Sequence, residues 1–101
     1  TLGQQKKLEI ARCLATKPKI LFLDEPMGGL NASEIEYACD LVQKLRNNGI
    51  SIILVEHHMR AIMKISDRII VLQQGAKIAD DVPHNIVKNQ MVINAYLGGG
   101  K

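Results

Sequence analysis

The sequence predicts an α/β fold, a mostly parallel sheet with flanking helices and a C-terminal hairpin. Three observations carry that expectation. Two apolar runs of strand length, Ile20–Leu23, which is unbroken, and Ile50–Val55, interrupted by Ser51, each follow an amphipathic helical segment. Runs that are apolar at nearly every position, without alternation, read as strands buried on both faces, as in a parallel sheet covered by helices. Each run ends in residues that carry chemistry, Asp24-Glu25 and Glu56-His57-His58, where ligands gather in open α/β sheets.

The elements follow in order. Gln4–Ala15 is the first expected helix: Leu8, Ala11 and Leu14 recur at helical spacing, with Lys6, Lys7, Glu9 and Arg12 mostly off that stripe. Pro18 stops it, and the strand Ile20–Leu23 follows. Asn31, with Glu34 three residues on, is a capping box that opens a second helix. Its apolar stripe is Ile35, Ala38, Val42 and Leu45, and Asn48-Gly49 closes it. Ile50–Val55 is the second strand. Met59–Ile65 is a short helix with Met59, Ile62 and Met63 on one side. Arg68–Leu72 and Ala76–Ala79, joined through Gln73-Gln74-Gly75, form the hairpin. Pro83–Val87 and Val92–Leu97 are short helices, and Gly98–Gly100 is an end expected to fray. The order α-β-α-β-α-β-β-α-α shows no repeat and no linker, so one domain without an internal boundary is expected.

Composition narrows the class. At 101 residues the chain fits one small domain or part of a larger one. Aromatic residues are only 3%, which argues against the stacking platforms of single-stranded nucleic-acid binding. The net charge of +3 is too small, and its cations too dispersed, for a nucleic-acid or membrane surface. Cys13 and Cys39 lie in helical segments without metal-type spacing and read as reduced core thiols of a cytosolic protein. No apolar run is long enough to span a bilayer, and no signal peptide opens the chain. The first residue is Thr1 rather than Met, so a processed or cut piece is expected.

Two adjacent carboxylates at a strand end call for a cation, and Mg²⁺ carrying a nucleotide is the usual one. Asp24 is the candidate to hold Mg²⁺ through water. Glu25 points elsewhere and could polarise a water for attack on a terminal phosphate. Taken alone, the pair could equally begin a turn before Pro26. Thr1-Leu2-Gly3-Gln4-Gln5 puts small and polar residues at a helix N-terminus, which either favours a phosphate or simply caps the helix. Gly28-Gly29-Leu30-Asn31 is a flexible turn beyond the carboxylates, and His57 ends the next strand on the edge that carries Glu25. A metal cluster of Glu56, His57 and His58 is not expected, because neighbours on a strand point to opposite faces.

In this spacing the set resembles the second half of an ATP-binding-cassette ATPase, over all 101 residues. Thr1-Leu2-Gly3-Gln4 resembles the tail of the LSGGQ signature, and Ile20–Glu25 the Walker B strand with its catalytic glutamate. Gly28–Asn31 corresponds to the D-loop and His57 to the switch histidine. The resemblance implies part of a P-loop NTPase (RecA-like) core that works with ATP and Mg²⁺. In it Asp24 holds the metal, Glu25 and His57 are catalytic, and Gly29 and Asn31 belong to the D-loop. Thr1, Gly3 and Gln4 would reach the nucleotide of a second ATPase subunit, since such domains pair head to tail. It further implies transmembrane permease partners, no nucleic acid, and a peripheral place on the cytoplasmic face of the inner membrane. Gln4-Gln5, Gly29-Leu30-Asn31, Val55-Glu56-His57 before Met59, and the closing Ala95-Tyr96-Leu97-Gly98 resemble the branched-chain amino-acid importers. The lipopolysaccharide-export ATPase is the nearest competitor. A DNA-repair or ribosome-associated ATPase, or a non-enzymatic fragment that only binds a partner, are further alternatives.

Departures from the family pattern are Thr1 for Ser, Leu2 for Gly or an aromatic, His58 for an acidic residue, and Val82 for a Thr-like cap before Pro83. No G-x-x-x-x-G-K-[ST] occurs; Gly98-Gly99-Gly100-Lys101 lacks its first glycine, its hydroxyl and a following helix. The glutamine loop is also missing, so the chain carries half of an active site. In the implied sheet the P-loop strand lies between Ile50–Val55 and Arg68–Leu72. Both strands then lack a ladder partner, unless they pair directly or with a second copy.

Overall fold

The computed structural model of the chain describes residues 2–96. Its elements are α1 (Leu2–Leu14), β1 (Ile20–Asp24), α2 (Ala32–Asn47), β2 (Ser51–Val55), α3 (Met59–Ile65), β3 (Ile69–Gln73), β4 (Ala76–Asp81), α4 (Pro83–Ile86) and α5 (Gln90–Tyr96). Order and type match the sequence expectation. By their contacts the described residues group into two compact units, one ending at Ile65 and the other beginning at Ser66. Among the described residues the strands form two two-stranded sheets, β1 with β2 and β3 with β4. Direct pairing of β2 with β3, one of the expected ways to close the gap, does not occur.

In the first unit β1 and β2 run parallel, in register from Ile20 opposite Ser51 to Asp24 opposite Val55. The Ser51 N–H donates to the Lys19 carbonyl at 2.9 Å, and the Glu25 N–H to the Val55 carbonyl at 2.7 Å. These bonds fix the parity. Ser51, Ile53 and Val55 turn their backbone groups to β1, so Ile52 and Leu54 turn theirs to the other edge of β2. Leu21 and Leu23 are buried against Ile10 of α1, Cys39, Val42 and Leu45 of α2, and Ala61 and Ile65 of α3. The opposite face is open: Ile20 is 65%, Phe22 61% and Ile53 54% exposed. The expectation of strands buried on both faces is therefore corrected. All three helices of this unit pack on the one face that carries Leu21 and Leu23.

The helices refine the predicted stripes. Among the described side chains of α1, Ile10 is buried and Leu14, a turn later, is half-buried, whereas Leu8 is exposed. On α3 the core side is Ala61 and Ile65, not Met59, Ile62 and Met63, which are half-buried. The i, i+4 pair with the smaller first residue lets the helix approach closely. The α2 capping box forms as expected, with Asn31 Oδ1 accepting from the Glu34 N–H at 2.9 Å and Glu34 Oε1 from the Asn31 N–H at 3.0 Å. Gly49, at φ 90°, reverses the chain after it. Cys39 is a free thiol, 1% exposed, and burial pushes its pKa up, so it is the inert core thiol expected. The Cys13 side chain and the Gly98–Gly100 end lie outside the described part.

The second unit satisfies itself locally. β3 and β4 pair antiparallel through Gln74-Gly75, with φ 50° and 79°, the left-handed pair that a two-residue hairpin requires. A register shift falls between Val71 and Leu72. Ile69 and Val71 are buried, as are Ile86 of α4 and Val92 of α5. Arg68 grips Asp80 with two bonds, Nε to Oδ1 at 2.6 Å and Nη2 to Oδ2 at 3.0 Å. The Tyr96 hydroxyl donates to the Leu72 carbonyl. Val82 opens α4 without a side-chain cap, as its residue type predicts. Asp81 Oδ1 instead gathers the Val82 N–H and the Asn85 amide.

Candidate functional site

Asp24 is the last residue of β1, and its carboxylate is exposed at the strand end. Glu25 leaves the strand with φ 48°, in the left-handed region that side-chain-bearing residues disfavour. That turn sends its carboxylate toward the end of β2, where Oε1 lies 2.9 Å from His57 Nδ1. Both side chains are open to solvent, 55% and 74% exposed, so a third molecule could reach them. Glu25 and His57 thus lie on one edge, as the sequence led one to expect, and the structure adds that they touch there.

The loop after Glu25 is shaped by glycine. A Cβ on Gly28 would sit 3.3 Å from the Glu25 carbonyl, which accepts the Gly28 N–H at 3.1 Å. Gly29 is left-handed at φ 76°. Asn31 ends this loop, and its side chain is engaged in capping α2, where it also accepts from the Ser33 hydroxyl at 2.9 Å. Gly3 and Gln4 lie in the first turn of α1. Gln4, Lys7, Pro26, Leu30, Glu34 and Tyr37 line a cleft of about 340 Å³, and the Lys7 ammonium sits 4.0 Å from the centre of the Tyr37 ring. Thr1 lies outside the described residues.

Glu56 is the residue that sequence reading missed. Its side chain is 1% exposed, the least solvated carboxylate at this edge. Oε2 accepts the Met27 N–H and Oε1 the His57 N–H, each at 3.0 Å, and Oε1 lies 3.7 Å from His57 Nδ1. Glu25, Glu56 and His57 consequently bring ligand-type atoms within 4.8 Å of one another. This corrects the expectation that Glu56 and His57 would diverge. Strand geometry ends at Val55, so the alternation of faces does not govern residues 56–58. His58 stays apart from the cluster; its Nδ1 accepts the Ala61 N–H at 3.3 Å, at the start of α3. The signal available in the sequence was a carboxylate wedged between an apolar run and a histidine. Its partners, the backbone amides of the adjacent His57 and of Met27, 29 residues away, leave no trace in residue types.

Residues 1–28 match the family described as ABC transporter. The high-affinity branched-chain amino acid transport ATP-binding protein BraF of Pseudomonas aeruginosa is 50% identical over 95% of this chain and 38% of its own length. LivG of Escherichia coli, described in the same words, gives the same identity and coverage. Over the shared stretch the chain resembles ATP-binding cassettes. Its fold agrees with that of solved cassettes. The crystal structure of the ADP conformation of MJ1267, an ATP-binding cassette of an ABC transporter, superposes with a TM-score of 0.85 at 29% identity, over 95% of this chain and 39% of that one. The chain thus spans less than two fifths of the length of these relatives. No helix among the described residues is long and apolar enough to cross a membrane.

Proposed function

We propose that these 101 residues are the carboxyl-terminal half of a cassette ATPase subunit that powers branched-chain amino-acid uptake. The observation that carries this reading is the Glu25–His57 contact of 2.9 Å at the exposed end of a parallel strand pair. A carboxylate held there by an imidazole is a base in reach of a bound water. The two relatives described as branched-chain amino-acid transport proteins supply the direction of the reading.

Asp24 fits a hydrated Mg²⁺, since it offers an exposed, hard oxygen donor at the strand end. When bound, Mg²⁺ with ATP supplies the polarised terminal phosphate. The chain's own part is narrower. Glu25 orients the attacking water and accepts its proton, and His57 holds Glu25 and reaches the γ-phosphate. Gly29 and Asn31 fix the loop between. Thr1, Gly3 and Gln4 would complete the nucleotide site of a second, head-to-tail subunit. No glycine-rich loop with its lysine occurs in the sequence, so the cradle for the subunit's own nucleotide would come from elsewhere in the protein. The open apolar face with Ile20, Phe22 and Ile53 supports the same reading, because a complete domain would cover it. The subunit would dock on permease subunits at the cytoplasmic face of the inner membrane.

The test is Glu25→Gln in the subunit that carries this chain, assembled with its permease. ATP binding should persist while leucine-, isoleucine- or valine-stimulated hydrolysis falls by about a hundredfold or more. Hydrolysis within about threefold of wild type would remove Glu25 as the base.

A further inference from the structure

We propose that Glu56 is a positioning residue: its buried carboxylate clamps the turn after β1 to the end of β2 and so holds Glu25 against His57. The inference rests on the catalytic reading of Glu25 and His57 given above. It starts from strain. Glu25 sits at φ 48°, a conformation that persists in a residue with a side chain only where its surroundings over-determine it. Three hydrogen bonds do so around this turn. The Glu25 N–H is bound by the Val55 carbonyl at 2.7 Å, and the Glu25 carbonyl accepts the Gly28 N–H at 3.1 Å. The third is the Met27 N–H, bound at 3.0 Å by Glu56 Oε2. The first two are backbone to backbone. The third is supplied by a side chain, from 29 residues away in sequence.

The other oxygen of the same carboxylate accepts the His57 N–H at 3.0 Å. One group therefore fixes the backbone on both sides of the Glu25–His57 contact. Its near-complete burial makes the geometry stiff, because a desolvated carboxylate that lost either amide would find no water to replace it. A charge-assisted bond from a carboxylate to an amide is also among the stronger hydrogen bonds available to a loop. With both oxygens occupied by amides, Glu56 is poorly placed to ligate a metal, although it lies in the cluster with Glu25 and His57. Both of its hydrogen bonds go to backbone amides. Its effect passes through the backbone of Met27 and His57.

The experiment compares Glu56→Ala and Glu56→Gln with wild type in the complete subunit, reading ATP turnover, KM for ATP and amide hydrogen exchange. Alanine should lower kcat by about tenfold to a hundredfold, the cost of misplacing a reacting group by an ångström or less, with KM within about twofold. Exchange should quicken at Met27 and His57 while Leu23 and Val42, in the core, keep their protection. Glutamine keeps one carbonyl oxygen, so one of the two amides stays protected and kcat falls between wild type and alanine. Unchanged kcat together with unchanged protection at Met27 and His57 overturns the proposal. So does protection lost at Leu23 and Val42 in step with turnover, which marks a merely structural residue. Should alanine prevent folding, glutamine decides, and wild-type kcat with both amides protected again overturns it. If the wild-type subunit itself does not hydrolyse ATP, it is the proposed function that fails. The exchange at Met27 and His57, with the Glu25–His57 proximity read by NMR, then decides on the clamp alone.

Discussion

Glu25 and Gln74 share an unusual backbone. Both bear full side chains and both are left-handed, at φ 48° and 50°. Their surroundings differ. Gln74 is the first residue of a two-residue hairpin turn, where the twist of β3 and β4 itself demands positive φ, and its neighbour Gly75 adopts the same conformation without cost. Glu25 follows a strand of a parallel pair, where no such turn is required, and its conformation is held by Val55 and by Glu56 from the next strand end. Strain at Gln74 is a local solution to reversing the chain. Strain at Glu25 is upheld by residues some 30 positions away, and its result is a carboxylate placed on an imidazole. The same dihedral turns a hairpin in one unit and, in the other, brings Glu25 to His57, the pair proposed above to be catalytic.

That contrast can be broken most severely at Glu25. Glu25→Asn should drop ATP turnover of the subunit by about a hundredfold or more. Because asparagine tolerates the left-handed region better, folding stability should hold or rise by up to about 1 kcal/mol. A denaturant midpoint that falls clearly below wild type would show that the conformation at Glu25 is structural after all.

His57→Ala follows in size. Turnover should fall by about tenfold or more, and stability should stay within about 0.5 kcal/mol, since the removed ring is largely exposed. If instead the melting temperature drops and activity per folded molecule survives, the imidazole is a structural post for Glu25.

At Gln74 only stability should respond. Gln74→Asn should stabilise the chain by about 0.5 kcal/mol, with turnover unaltered, because asparagine followed by glycine suits a turn with two left-handed residues. A loss of activity from this substitution would contradict the division between the two units.

The smallest effect concerns Arg68 and Asp80. The paired hydrogen bonds from Arg68 hold the Asp80 carboxyl below the usual carboxylate range and raise the guanidinium. A carboxylate whose pKa is lowered on folding contributes stability above its unfolded value, about 3.9, and loses it as the pH falls through the folded value. The melting temperature of Asp80→Asn should therefore lie slightly below wild type at neutral pH. The gap should close as the pH falls below about 4, and shrink in about 1 M salt, since the pair is exposed. A gap constant from neutral pH to about pH 2 would mean that packing, not charge, is what Asp80 supplies.

Much of the molecule was legible as written. The capping box of Asn31 and Glu34 formed because both partners lie within one turn. The Gln74-Gly75 hairpin formed because a glycine stood where the backbone needed one. Asp24, Glu25 and His57 came to one edge because parallel strands joined by a helix must end on the same side of their sheet. These outcomes depend on neighbours in sequence or on a rule of topology, and residue types suffice to state them. Three others were decided only by the tertiary structure. Which face of β1 and β2 is covered depends on where the helices pack, and a run that is apolar on both faces cannot say which of the two that will be. The side of α1 that packs, Ile10 rather than Leu8, follows from the same uncertainty, since either stripe satisfies helical spacing. Glu56 is the sharpest case: a carboxylate in a sequence announces a charge, but whether it meets water, a cation or two backbone amides is settled by what the fold brings to it. Every residue carries the same amide, so the sequence has no letter for that partner.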